Sequence, residues 1–124
     1  MAKIKFLRLI APLILLACIN ASWAGEVNVE KVKVSKQSAN TYSFSVTLKH
    51  ADTGWKHYAN KWEVLTLDGE LLGQRILHHP HVNEQPFTRK LGKVKIPSGV
   101  SQVLIKGYDL KHGDGGKTKI VDLP

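Results

Sequence analysis

In Asn40–Lys49 the residues Tyr42, Phe44, Val46 and Leu48 alternate with Ser43, Ser45, Thr47 and Lys49. Successive side chains of an extended chain point to opposite faces, so this period of two predicts a strand buried on one side. Upstream, Glu26–Ser35 carries Val27 and Val29 in one phase and Val32 and Val34 in the other. The slip at Glu30-Lys31 predicts a bulge or a change of sheet partner. Tyr58–Leu67 is apolar on both faces near its end, as a central strand would be, and Asp68-Gly69 is a two-residue hairpin signal leading into Glu70–His78. Phe87–Ile96 runs into the turn Pro97-Ser98-Gly99, and Gln102–Leu110 and Lys117–Leu123 follow, joined across KHGDGG. With no helical period beyond the N-terminal segment, seven short strands predict an all-β chain. The expected fold is a single immunoglobulin-like antiparallel β-sandwich of about seven strands. The Cys…Trp…Cys core of antibody domains is missing, so the likeness is one of architecture.

The first 24 residues break this pattern. Lys3, Lys5 and Arg8 precede an apolar run from Leu9 to Ile19, and small residues up to Ala24 match what a signal peptidase reads. The run is short of the ~20 residues needed to span a bilayer. The expectation is a signal peptide over 1–24 and a β-sandwich domain over 25–124, exported to the periplasm with no transmembrane span in the mature chain. An alternative lies inside the signal. Leu15-Leu16-Ala17-Cys18 resembles a lipobox, which would anchor the chain as a lipoprotein through Cys18. Cys18 is the single cysteine, so cleavage after Ala24 leaves a domain held by its core without disulfides.

Charge narrows the partners. The chain has 18 basic and 10 acidic residues; losing Lys3, Lys5 and Arg8 leaves 15 against 10 and an excess of five. A basic exported domain points to anionic partners of the cell envelope, or to solubility. The lysines stand singly between apolar residues, and no aromatic array is interleaved with them, which argues against nucleic acid.

Candidate chemistry concentrates in histidine. Of six histidines, His78, His79 and His81 fall in HHPHVNEQP, and His50, His57 and His112 lie near other strand ends. If strands alternate up and down, all six belong to three loops at one pole of the sandwich, where such folds carry binding function. Pro80 favours an extended His79. His79 and His81 would then share a face and offer two imidazoles to one ion. Glu84 or Asp109 could add a carboxylate, and His57 or His112 a third ring, a donor set suited to Cu²⁺ or Zn²⁺. The only methionine is the initiator, which excludes a Met-rich Cu(I) site. In the competing reading these rings only cap their own loops, and Asp109 ties together the hairpin Asp109–Gly113.

A metal-free role would use Trp55, with His50 and His78, against an envelope protein or glycan, whereas Trp62, inside a strand, reads as core. Glu84 and Arg89 flank Pro86-Phe87 and suit an ion pair pinning the strand start. No nucleophile elbow or catalytic carboxylate pair is readable, so the reading is a binding module rather than an enzyme. Any catalysis would be metal-assisted hydrolysis or redox chemistry at the histidine pole.

The blocks HPHVNEQPFTR, IPSGV and DLKHGDGG resemble a family of small exported bacterial β-sandwich proteins without an assigned activity. In general plan the chain is also similar to periplasmic copper-binding sandwiches. It departs from them in lacking an N-terminal histidine and any methionine in the mature chain. The family resemblance carries over no activity and no residue roles, and the likeness to copper-binding sandwiches adds only slightly to the metal reading, because fold does not fix function.

Overall fold

The computed structural model describes residues 26–124. The expected signal peptide, its expected cleavage after Ala24, and Cys18 lie outside the described residues. Among those described, no helix is long and apolar enough to cross a membrane.

Seven strands form in chain order: β1 Asn28–Ser38, β2 Thr41–Lys49, β3 Ala59–Leu65, β4 Leu71–Ile76, β5 Phe87–Lys95, β6 Gln102–Asp109 and β7 Lys119–Asp122. They make two antiparallel sheets, one ordered β1-β2-β5 and the other β4-β3-β6-β7. The all-β sandwich read from the sequence is the observed fold. The alternation in β2 works as the pattern demands. Phe44, Val46 and Leu48 are buried completely or nearly so, and the intervening Ser43, Ser45 and Thr47 lie on the outer face. The phase slip in the first strand is a register shift between Val29 and Lys31 against β2. It lets Val29 and Val32 both turn inward.

The turn after β3 differs from the two-residue expectation. Thr66 N donates to Glu70 O and Gly69 N to Thr66 O, both at 2.9 Å, so the loop is Leu67-Asp68-Gly69. Gly69 takes its φ of 97°, a conformation that favours glycine. The third residue of such a loop commonly sits there.

The core lies between the sheets and is led by Trp62, Phe44, Phe87, Leu48 and Ile105. Trp62 is fully buried at the centre of β3, as its in-strand position predicted. One close approach fixes the sheet separation at the upper end. A Cβ on Gly107 of β6 would lie 2.4 Å from Val27 Cγ1, so only glycine lets the two segments meet there.

The strand directions bring three connections to one pole. Residues 50–58 cross from the first sheet to the second, 77–86 cross back, and 110–118 join β6 to β7. All six histidines lie in these three connections.

Candidate metal centre

The inward phase of two strands carries apolar residues up to the pole and then switches to polar ones. In β2 the series Phe44, Val46, Leu48 continues to His50 and on to Asp52. In β6 the series Val103, Ile105, Gly107 ends on Asp109. His50, Asp52 and Asp109 are therefore buried, with 3%, 5% and 4% of their surfaces exposed. Burial of such groups costs several kcal/mol unless each is paired. Here each is.

Asp109 is the hub. Its Oδ1 accepts the backbone N–H of Lys111 at 2.8 Å and that of His112. Asp109 N and Gly113 O lie 3.1 Å apart in the same turn, closed by Gly113 at a φ of 69°. Its Oδ2 faces three imidazoles: His50 Nε2 at 2.9 Å, His112 Nδ1 at 3.2 Å and His57 Nε2 at 3.4 Å. The rings pack edge to face, with centroids 4.8 Å apart for His50–His57 and 4.9 Å for His57–His112. Burial alone would raise the Asp109 pKa. The hydrogen bonds from His112, His50 and Lys111 outweigh it and hold the carboxyl below its ordinary value.

Behind His50 stands a second carboxylate. Asp52 Oδ1 meets His50 Nδ1 and accepts Ala59 N–H at 3.1 Å, while Oδ2 accepts His81 N–H at 2.7 Å. His50 is thus held between two carboxylates, Asp52 at Nδ1 and Asp109 at Nε2, which fixes the orientation of its ring. The ligand atoms of His50, His57 and Asp109 all lie within 4.8 Å of one another, close enough to hold one metal ion. An ion with tetrahedral bonds of about 2.0–2.1 Å separates its ligand atoms by about 3.3–3.4 Å. The contacts of 2.9, 3.2 and 3.4 Å to Asp109 Oδ2 lie at or below that spacing.

Of the residues singled out in the sequence, His57, His112 and Asp109 come together, and His50 joins them from its partner-contact assignment. The HHPH stretch makes a separate arrangement. His81 is buried, stacked on Phe87 with centroids 4.0 Å apart, and its Nε2 lies 2.8 Å from Arg89 Nη2. A guanidinium only donates, so Nε2 accepts and the ring proton sits on Nδ1, 4.0 Å from Asp52 Oδ2. Desolvation, then the charges of Arg89 and His79, lower the His81 pKa.

His79 is exposed, its ring 4.7 Å from that of His81 and its Nδ1 3.2 Å from Pro80 O. His78 is also exposed. Glu84 is exposed and pairs with Arg89 at 3.4 Å, the ion pair expected beside Pro86-Phe87. Trp55 stands 66% exposed, its ring 5.8 Å from that of Tyr58. The residue that sequence reasoning passed over is Asp52. Its signal was the phase of β2, since an inward series that continues through His50 to Asp52 marks a polar cluster beneath the loop.

Comparison with known proteins adds one relative. A protein of Halomicrobium mukohataei described as "Putative lipoprotein" is 41% identical over 97 residues, which is 78% of this chain and 47% of that protein. The chain thus spans about half the length of this relative. No family model matches the chain, and no solved structure matches it.

Proposed function

We propose that the protein is an exported or lipid-anchored binding module that holds one divalent transition-metal ion, Zn²⁺ or Cu²⁺, at its histidine pole. The likeness to a protein described as a lipoprotein supports the envelope location. The observation that carries the metal reading is the line Asp52–His50–Asp109, with His57 and His112 on the same Asp109 oxygen. His50 Nε2, His57 Nε2, His112 Nδ1 and Asp109 Oδ2 would be the ligands, and Asp52 would hold the His50 ring in place. Imidazole and carboxylate donors without sulfur suit Zn²⁺ and Cu²⁺. The lowered Asp109 pKa keeps that carboxylate ionised and ready to ligate at neutral pH.

Calorimetric titration of chelator-treated protein with Zn²⁺ and with Cu²⁺ tests this. One site of micromolar or better affinity is expected, about 8 kcal/mol or more. His57→Ala should weaken it at least about tenfold, the loss of one ligand, whereas His79→Ala should leave it unchanged. Binding no tighter than millimolar, or equal loss in the two variants, would sink the reading.

A metal-free second reading rests on Trp55. Its exposed ring meets Tyr58, whose carbonyl accepts Leu110 N–H at 3.2 Å, and Leu110 is itself half exposed. Such an apolar rim fits an envelope protein or glycan. Trp55→Ala should then abolish capture of that partner with no change in unfolding; unchanged capture would count against it.

A further inference from the structure

The two sheets differ in charge far more than the scattered lysines of the sequence suggest. The strands β1, β2 and β5 carry eight basic residues (Lys31, Lys33, Lys36, Lys49, Arg89, Lys90, Lys93, Lys95) against one acidic residue, Glu30. The strands of the other sheet carry four, Lys61, Arg75, Lys106 and Lys119, against three, Glu63, Asp109 and Asp122. Arg89 turns to His81 and Glu84, and Asp109 is buried at the pole, so neither counts toward an outer face. On the second sheet Lys61 pairs with Glu63 and Lys106 with Asp114; a face of one sign concentrates field and attracts counter-ions.

The register places these lysines in rows. Lys33 of β1 lies beside Ser45 of β2, which lies beside Lys90 of β5. The next row is Lys31, Thr47 and Thr88, and Ser35 pairs with Ser43 on the other side. All belong to the outward phase, since their neighbours Val32, Val34, Phe44, Val46 and Leu91 pack on the core. The outer surface is hollowed into a trough of about 450 Å³ lined by Lys33, Ser35, Ser43, Ser45 and Lys90. A smaller hollow of about 110 Å³ adjoins it, sharing Lys33 and Ser45 and reaching Lys31, Thr47 and Thr88.

We propose that this trough binds an extended phosphate-bearing polyanion lying along β2, between the lysines of β1 and Lys90 of β5. Strand spacing of about 4.8 Å puts the lysine-bearing walls about 10 Å apart, wide enough for one linear chain. Outward residues two apart recur every ~6.8 Å, so Ser43 and Ser45 offer hydroxyls at successive steps along the floor, followed by the hydrogen-bonded hydroxyl pair Thr47–Thr88. Lysines supply charge without a fixed geometry, and hydroxyls donate to phosphate oxygens. No aromatic residue and no exposed large apolar side chain lies among the trough's lining residues, so neither base stacking nor insertion into lipid is provided for. The trough is independent of the histidine pole, and chelation should leave it unaffected.

The test is binding of the purified protein to long-chain inorganic polyphosphate across a salt series, beside vesicles of phosphatidylglycerol in phosphatidylcholine. Saturable polyphosphate binding that weakens with salt is expected. Lys33→Gln/Lys90→Gln should reduce it at least about tenfold and make the slope of log affinity against log salt shallower by about 1.4. Lys106→Gln/Lys119→Gln, an equal charge change on the other sheet, should leave it within about twofold. Urea midpoints confirm that the variants fold, and Ser43→Ala/Ser45→Ala reads the floor separately, with a several-fold loss expected. Absence of polyphosphate binding, or equal losses from the two lysine pairs, overturns the proposal. Vesicle binding without polyphosphate binding overturns it in favour of a membrane surface.

Discussion

Two groups of histidines share one pole of this sandwich and behave in opposite ways. His50, His57 and His112 are spread over 62 positions of the chain, yet their rings meet around one carboxylate oxygen. His78, His79 and His81 are nearly contiguous, and their chemistry is spent locally. His81 is stacked on Phe87 and engaged by Arg89, His79 leans on its own loop, and His78 is exposed. Near neighbours in this loop differ in burial, His78 and His79 exposed and His81 buried, because a loop must turn outward between strands. His50 and Asp109 converge because they continue the inward phases of β2 and β6, and His57 and His112 reach the same oxygen from the adjoining connections.

The comparison breaks most decisively at Asp109. Asp109→Ala leaves the amides of Lys111 and His112 and three imidazoles without their shared partner. It should cost about 3–5 kcal/mol in urea unfolding, a large part of the 5–15 kcal/mol such a domain has. A cost below about 1 kcal/mol would show that the cluster is not held by its hub.

A smaller effect is expected at His81 and depends on pH. Its folded-state pKa lies below the ordinary 6.5, through burial first and then the charges of Arg89 and His79, with Glu84 and Asp52 opposing. The unfolded chain therefore takes up a proton more readily than the folded one. The stabilisation from a neutral His81 is complete above about pH 6.5 and is lost as pH falls through the folded-state value. The slope it adds is at most about 1.4 kcal/mol per pH unit. Unfolding free energies measured between about pH 5 and 7.5 should lose that part of their slope in His81→Gln; an unchanged slope would reject the assignment.

The smallest effect belongs to Glu84, exposed and paired only with Arg89 among the contacts described for it. Glu84→Gln should change stability by less than about 0.5 kcal/mol. A loss above 1 kcal/mol would mean that the HHPH loop is built more like the buried cluster than its exposure indicates.

Much of this arrangement is legible in the sequence, and for definite reasons. Alternation in β2 and the slip at Glu30-Lys31 report burial directly, so strands and bulge follow from hydrophobic phase. The gathering of the histidines at one pole follows from counting strand directions. Which rings meet does not follow from local spacing. His79 and His81, two apart across Pro80, lie with their rings 4.7 Å apart. Local spacing does not show that Arg89 arrives from β5 to occupy His81 Nε2. His50 is legible as an inward position by extending the phase of Phe44, Val46 and Leu48, whereas its polar side chain alone suggests a loop. The basic face escaped notice because lysines single in sequence, such as Lys33 and Lys90, become neighbours only through the register of β2 between β1 and β5.

Asp52 has a dynamic consequence. Its carboxylate accepts from the His81 and Ala59 amides and meets the His50 ring, so three segments separated by up to 29 residues close on a single side chain. No cysteine is present among the described residues to cross-link them. The carboxylate takes the place a disulfide often has in a small exported domain, with the difference that it can let go and re-form. Beside it, the β2–β3 and β4–β5 crossings are joined directly by the bond from His50 N–H to Gln85 Oε1 at 2.9 Å, so the pole has two reversible ties where a disulfide would give one fixed one.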